Sequence, residues 1–568
     1  MLRALTPWLL IALAGGACVP LRAASSNSAH TAAPAALGQR LYLEGIRADG
    51  TPMRAKTQGD IAISGMAGTC ARCHRRSGYG ESEGGNYVPP ITGPTLFSPS
   101  KNDRAQRFKR TFMEAQSKSF YVQMRTPHLR PAYDERSLAM AIRDGVDPTG
   151  RRLDPLMPRY RLDVRDMAAL TAYLRTLSRT PSPGVDAHSM YLSTVISEGA
   201  DSVERDAMLA VLDAYVAWKN RDMEHWTTLK ERSLLYRDQF VPAYRRWQLK
   251  VWTLHGAPST WRPQLDAAYA AQPVFAVVSG LVSGPWQPMH DFCEERSLPC
   301  LFPNTQLPVA DGANVYSIYL SKGLLLEADA LAAFVAHSSD RSAGNSVAQI
   351  YCADQPQGAL PAHAFRRALN GVAGLRLSDL PFSDDSSFDH ALARVAHDPT
   401  IDTLVIWPAG WGPKLIQRLW DRSPAVGRIL LPSPVLDELL ADHRPLPKAN
   451  MLFSYPYALP TNSFPRAYRV QAWLSSRGIA VTSPRIQFDT YFVLEDLSAA
   501  VAHIIDNYSR DYLIEYIEHE TENNLNAGVY PSLSLGPGQR FASKGAYVVR
   551  LDPNHVGGLA PVSGWIVP

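Results

Sequence analysis

The sequence predicts a multi-domain chain: an all-α first domain followed by a two-lobed α/β domain. Three observations carry this. The chain has 568 residues, several times the size of one compact domain. A C-x-x-C-H stretch, Cys70-Ala71-Arg72-Cys73-His74, lies in a Gly-rich segment between amphipathic helical patterns. After a Pro/Gly-rich joint at Thr180–Gly184, short apolar runs alternate with helical patterns in two sets, the mark of open parallel sheets covered by helices. The expected bounds are a signal peptide at 1–24, a flexible leader at 25–35, the first domain at 36–180, a linker at 181–187 and the two-lobed domain at 188–568.

The first residues read as an export signal. Arg3 precedes a short apolar run, Leu9 to Ala17, with small residues at Ala23 and Ala24. That run is too short to span a bilayer. Lipid anchoring at Cys18 is disfavoured, because Gly15-Gly16-Ala17 is a poor lipidation context. Leu324 to Ala336 is interrupted by Glu327 and Asp329 and reads as a packed helix. The expected address is therefore the periplasm, with no transmembrane segment in the mature chain.

In the first domain, Leu37 to Leu43 reads as a short helix, with Gly38 allowing another helix to approach closely. The C-x-x-C-H stretch is the attachment signature of a c-type haem, with Cys70 and Cys73 forming thioethers and His74 reaching the iron. A structural zinc half-site and a redox C-x-x-C are the alternatives. The first needs a second ligand pair at zinc spacing and the second a βαβ setting, and the surrounding sequence has neither. Arg75 and Arg76 are candidate propionate contacts, set against ordinary surface charges. GGNYVPPITGPTL follows with turn signals and no helix pattern. Asp134 to Arg143 reads as a helix ending at Gly145. Met157 lies in the loop LDPLMPRYRL, where a thioether could close over the distal haem face; Met124 and His128 are the next candidates. Asp163 caps a last helix, with Asp166 at the third position and Met167, Leu170, Leu174 and Leu177 as its apolar stripe.

Charge is uneven. Residues 36–180 carry 24 Lys+Arg against 14 Asp+Glu, and residues 181–568 carry 31 against 39. A basic domain beside an acidic one suits electrostatic docking, with each other or with an acidic redox partner. Scattered arginines in an exported chain argue against nucleic acid. Beyond the haem pair and Cys18, Cys293, Cys300 and Cys352 remain. Export permits disulfides, and Cys293 and Cys300 flank a helix-to-strand turn, so they form a candidate pair; three buried free thiols are the alternative.

In the second domain, strands are expected at Tyr191–Ser197, Lys250–Leu254, Val274–Ser279, Cys300–Phe302, Val315–Tyr319, Val347–Tyr351, Thr403–Trp407 and Arg428–Leu431. Helices are expected at Val203–Trp218 (with Asp201 and Glu204 as a capping box), Trp261–Tyr269, Gly323–His337, Ala364–Ala368, Phe388–Val395 and Pro413–Trp420. Phe488 to Asn507 reads as a strand-to-helix unit. Ligands of open α/β sheets sit beyond the carboxyl ends of strands, which nominates Ser279, Ser283, Trp286, Asn304, Thr305, Tyr316, Asp354, Trp411 and Tyr455. No hydrolase elbow, P-loop or HExxH stretch supports another chemistry.

Two resemblances follow. The order GQRLYLEG, CARCH, PPITG, RDGVDPTGRRLDPLMPRY, DMAALTAYLRTL resembles a class I cytochrome c domain, such as those in cytochrome subunits of bacterial periplasmic dehydrogenases. It implies terminal helices crossing beside the haem, His74 proximal, the methionine of MPxY distal (Met157 here) and one haem c. Arg75 stands where many relatives have Gly. QLDAAYAAQPVFAVVSGLVSG, PCLFPNT, NVYSIYLSKG, VAQIYCADQPQG, FDTYFVLEDLSAAV and GPGQRFASKGAYVVR resemble a type I periplasmic binding protein of the branched-chain amino-acid-binding class. That implies two lobes hinged around a cleft for a small organic solute. The chain departs from it near Ser197–Asp206, where the usual small-residue-rich segment is missing.

The expected function is periplasmic electron transfer through one His/Met-ligated haem, coupled to a solute-binding-like module. The expected redox partner is a periplasmic dehydrogenase or another cytochrome. A solute receptor or redox/gas sensor, in which the haem is not an electron carrier, is the alternative. An enzyme is not expected, because a methionine on iron closes the open site that catalysis needs.

Overall fold

The computed structural model describes residues 33–83, 86–100, 129–231, 245–310, 315–337, 346–410, 417–419, 421, 425–441, 450–523, 529–536 and 538–568. The expected signal peptide, Cys18, Met124, His128, Trp411 and most of the expected helix at 413–420 lie outside the described residues.

The first domain is built on two crossed helices, α1 (Pro34–Glu44) and α5 (Val164–Thr176). Gly38 is where they touch: a Cβ there would lie 2.0 Å from the Ala169 carbonyl oxygen. Leu41 and Tyr42 of α1 pack with Met167, Leu170 and Leu174 of α5 in one core. Between them come α2 (Ala71–His74), α3 (Gly93–Leu96) and α4 (Glu135–Asp144). Asp134 caps α4 through the Ser137 amide, and Asp163 caps α5 through the Asp166 amide. Asp166, almost fully buried, then receives Arg47 Nε at 2.6 Å, tying the loop after α1 to the start of α5.

The domain is not all-α. Strands β1 (Arg54–Lys56), β2 (Ala62–Ser64) and β5 (Arg159–Tyr160) form an antiparallel sheet in the order β2-β1-β5, and β3 (Glu81–Glu83) pairs with β4 (Asn86–Val88). None exceeds three residues. Runs that short carry too little alternation for a period-two pattern to register in sequence.

The second domain has two sheets. The first lobe orders β6 (Ser189–Ser197), β7 (Arg246–Leu254), β8 (Ala276–Val278), β9 (Cys300–Leu301) and β10 (Ser317–Ile318) as β10-β9-β8-β6-β7, all parallel. Helices α6 (Ser202–Glu231), α7 (Trp261–Ala271) and α8 (Gln287–Glu295) come from its crossovers. Asp201 Oδ1 accepts the Glu204 amide at 2.9 Å at the start of α6. Cys293 and Cys300 are joined by a disulfide between α8 and β9, and Cys352 is a buried free thiol.

Among the described residues the second lobe has seven strands. These are β11 (Ser346–Cys352), β12 (Arg376–Phe382), β13 (Ile401–Trp407), β14 (Arg428–Leu431), β15 (Met451–Tyr455), β16 (Tyr547–Leu551) and β17 (Leu559–Pro561). Their order is β12-β11-β13-β14-β15-β16-β17, with the last two antiparallel. Helices α9 (Leu324–His337), α10 (Pro356–Leu369), α11 (Asp385–His397) and α12 (Ser433–Ala441) belong to it.

The chain then returns to the first lobe. Helices α13 (Pro460–Ser475), α14 (Pro484–Ile504) and α15 (Arg510–Asn523) follow β15. Their Val470, Leu474, Phe492 and Leu513 share a core with Met190, Leu192 and Phe275 of the first sheet. The expected strand at the start of 488–507 is instead part of the 21-residue α14. Phe488, Thr490, Tyr491, Phe492 and Val493 favour strands locally. They are buried here on all sides of a helix, and tertiary burial overrides that preference.

Candidate functional site

The C-x-x-C-H stretch forms a single helical turn, with the His74 amide donating to the Cys70 carbonyl at 2.9 Å. Both thiols are unbridged. His74 Nδ1 lies 3.0 Å from the Pro89 carbonyl oxygen. Burial pushes the imidazole down to about 4, so it is neutral near pH 7. A carbonyl accepts only, so Nδ1 carries the proton and the Nε2 lone pair is left for a metal. PPITG thereby orients the proximal ring.

The donor set fits a covalently held haem and disfavours the two alternatives. Among the described residues no group of three His, Cys, Asp or Glu side chains could hold a metal ion. Burial pushes the Cys70 thiol up to about 12 and raises Cys73 too, whereas a redox pair needs a lowered thiol.

Met157 is half-buried, and its amide donates to the Asp154 carbonyl at 3.1 Å. Arg159 clamps the same loop, donating to the carbonyls of Met157, Leu153 and Asp154. Next to it, Tyr160 pairs with Ala55 in the small sheet, and its hydroxyl meets the Cys70 thiol. The methionine loop and the haem cysteines are thus brought to one side of the domain by β5.

Arg75 and Arg76 are both engaged by protein carboxylates. Arg75 pairs with Glu81. Its backbone has φ +62° and ψ 170°, a region suited to glycine. Tyr42 Oη holds that turn by donating to the Arg75 carbonyl at 2.6 Å. Arg76 Nε lies 3.4 Å from Asp511 Oδ1, and its guanidinium lies over Tyr316.

That pairing belongs to a contact between the two domains, centred on α15. Glu515 accepts from the Ser77 amide at 3.0 Å and the Ser77 hydroxyl at 2.5 Å. Tyr79 stacks on Tyr512 at 4.3 Å and donates to Asn507. Tyr316 donates to Asp511 at 2.7 Å. The joint is bolted down as well. Ser182 donates to the Tyr508 carbonyl, and Arg510 reaches Pro183, Tyr269 and Val274. Gly184, at φ +93°, lies so close to β8 that a Cβ would sit 2.1 Å from the Phe275 nitrogen.

A cavity of about 240 Å³ lies between the lobes. Of the sequence-nominated solute residues, Ser283, Asn304 and Thr305 line it. Ser279 lies beneath, its Oγ accepting from Asn304 Nδ2 at 2.8 Å. Trp411 lies outside the described residues, and the remaining four stand elsewhere. Trp286 is fully buried in the far core of the first lobe. Tyr316 faces the haem domain. Asp354 is exposed and does not line the cavity, while Gln357 on the following helix does. Tyr455 packs edge-on against Tyr457, which lines the cavity in its place. Position after a strand end fixes the neighbourhood but not which side chain turns inward.

Sequence reasoning missed Arg485 and Asp489, one helical turn apart on α14. Two charges four residues apart in an otherwise apolar run were the available signal. Arg485 donates to Tyr457 Oη at 3.1 Å, with Glu204 and Asp437 at 3.9 and 4.0 Å. Asp489 is 5% exposed and accepts from Tyr530 Oη at 3.3 Å. Burial pushes its carboxyl up to about 7.

Residues 65–178 match the cytochrome c family. This cytochrome c domain is fused to a fold of the type I periplasmic-binding-protein kind. The branched-chain amino acid ABC transporter protein from Thermus thermophilus, solved with bound valine, covers 67% of this chain and 97% of its own at 12% identity, with a TM-score of 0.50. A leucine-binding protein from Thermotoga maritima covers 67% of this chain and 99% of its own at 16% identity, with a TM-score of 0.48. At these identities the likeness concerns the fold. No curated protein matches the chain. No helix among the described residues is long and apolar enough to cross a membrane.

Proposed function

We propose that the protein is a periplasmic electron carrier with one haem c, bound through Cys70 and Cys73 and ligated by His74 and Met157, joined to a solute-binding module. The supporting observation is the His74 ring. Its Nδ1–H is spent on Pro89, and its Nε2 is free, within a segment that matches cytochrome c. When bound, haem supplies one-electron redox chemistry. The chain's own residues do the rest. Pro89 and the α2 turn fix the proximal imidazole, and Arg159 and β5 hold the Met157 loop. The α15 contact covers the segment just past the motif and leaves the Met157 side to meet a redox partner.

The interlobe cavity supports a role in binding a small organic solute, the class of molecule seen in the Thermus structure with valine. It also favours the second reading, a receptor or sensor whose haem is not an electron carrier. The ferric absorption spectrum separates the two. A low-spin spectrum with a weak sulfur-to-iron charge-transfer band, lost in Met157→Ala, supports electron transfer. A high-spin spectrum in the wild type would falsify it and favour sensing.

A further inference from the structure

The interlobe cavity is lined by four carboxylates, Asp201, Glu204, Glu327 and Asp489, against one guanidinium, Arg485. That guanidinium is already committed to Tyr457 and flanked by Glu204 and Asp437. Several polar donors at the cavity are spent internally. The Ser283 amide donates to Ser197 Oγ at 2.7 Å, and the Ser433 amide and hydroxyl donate to Glu327 at 2.7 and 2.8 Å. Asn304 Nδ2 donates to Ser279.

The buried side-chain atoms of the lining that stay unpaired are both acceptors. Asp489 Oδ1 and Asn304 Oδ1 are buried acceptors with no hydrogen-bond partner, and both residues line the cavity. Leaving such groups unpaired costs about 1–3 kcal/mol each, so an occupant that brings N–H donors recovers that cost. An anion finds acceptors instead. A divalent metal ion is disfavoured, since no group of three ligating side chains exists among the described residues. Tyr319, Tyr457 and Tyr530 complete the lining, and aromatic faces attract ammonium groups.

We infer that the cavity takes a small organic amine in its ammonium form, with Asp489 and Asn304 accepting its N–H groups. This rests on the solute-binding reading above and narrows it: zwitterionic and anionic solutes of similar size bind less well.

The test is calorimetric titration of the full-length haem-loaded protein with butylamine, valine and butyrate, alongside thermal shift with each. Butylamine is expected to bind at least tenfold more tightly than butyrate and to raise the melting temperature most. Asp489→Asn, which keeps shape but removes the charge, should weaken butylamine at least tenfold while leaving the haem absorption spectrum unchanged. Tighter binding of valine or butyrate overturns the amine assignment and leaves solute binding standing. No response to any of the three, in a protein with an intact haem spectrum, overturns the amine and counts against solute binding as well. Because these titrations use the wild-type chain, the class is decided even if Asp489→Asn does not fold.

Discussion

Ser77 gives both its amide and its hydroxyl to the Glu515 carboxylate, at 3.0 and 2.5 Å. A residue three positions past His74 is therefore held by a helix of the other domain. Asp511 and Arg75 lie beside this pair, Arg76 pairs with Asp511, and Tyr42 adds to the cluster.

Burial pushes the Glu515 carboxyl from 4.5 up to about 8, with the Ser77 bonds pulling the other way. A carboxyl raised on folding is held in its protonated form, so its contribution is fullest at low pH. That contribution is lost as pH climbs between the two values. Asp489, raised from 3.8 to about 7, acts in the same direction. Melting temperature measured from about pH 5 to about pH 9 should fall more steeply in the wild type than in Glu515→Gln. Parallel curves would show that Glu515 does not titrate in this interval.

Covalent attachment as proposed, through two thioethers, requires haem to stay with the polypeptide after acid-acetone extraction. Cys70→Ser and Cys73→Ser should each leave one bond, and the double variant should release all haem. Quantitative release from the wild type would contradict covalent attachment.

Met157→Ala should lower the reduction potential, since a thioether ligand favours the ferrous state. Redox titration of the full chain reads this directly. An unchanged potential would point to Met124 or His128.

Arg75 sits where its backbone suits glycine, a conformation that costs other residues about 1–3 kcal/mol. Arg75→Ala keeps that strain and loses the Glu81 pair, whereas Arg75→Gly loses the pair and relieves the strain. Denaturant titration should find the glycine variant more stable than the alanine variant by about 1–2 kcal/mol. Equal stabilities would mean the turn is not strained.

Gly38→Ala should destabilise the cytochrome c domain by about 2 kcal/mol or more, because the new methyl lands on the Ala169 carbonyl. The reading is loss of the low-spin haem spectrum at lower denaturant concentration.

Much of this was legible in sequence. The C-x-x-C-H turn, the Asp163 cap and the Gly38 crossing each rest on local chemistry, and β6, β7, β11 and β13 lie at or close to their apolar runs. The failures share a cause. The strands of the haem domain are too short to carry a period, and α14 hides its helical character behind strand-favouring residues that burial overrules. The cavity is assembled by Asn304, Tyr457, Asp489 and Tyr530 from far-apart stretches. Nothing in the run around Phe488 reveals that Asp489 faces a space also lined by Asn304.

The contact between Ser77 and Glu515 joins residues 438 positions apart. For a chain made N-terminus first at about 5–20 residues per second, that separation amounts to roughly 20–90 s. Through that interval the cysteines, their histidine and the loop that orients it have already emerged, while the helix that covers Ser77 has not been synthesised. The first lobe waits equally long, since α14 and α15 complete its core only after β15 has been made. The C-x-x-C-H turn is thus made early and the helix that covers Ser77 late. A truncation anywhere before residue 510 leaves both the docking face and the first lobe permanently unfinished.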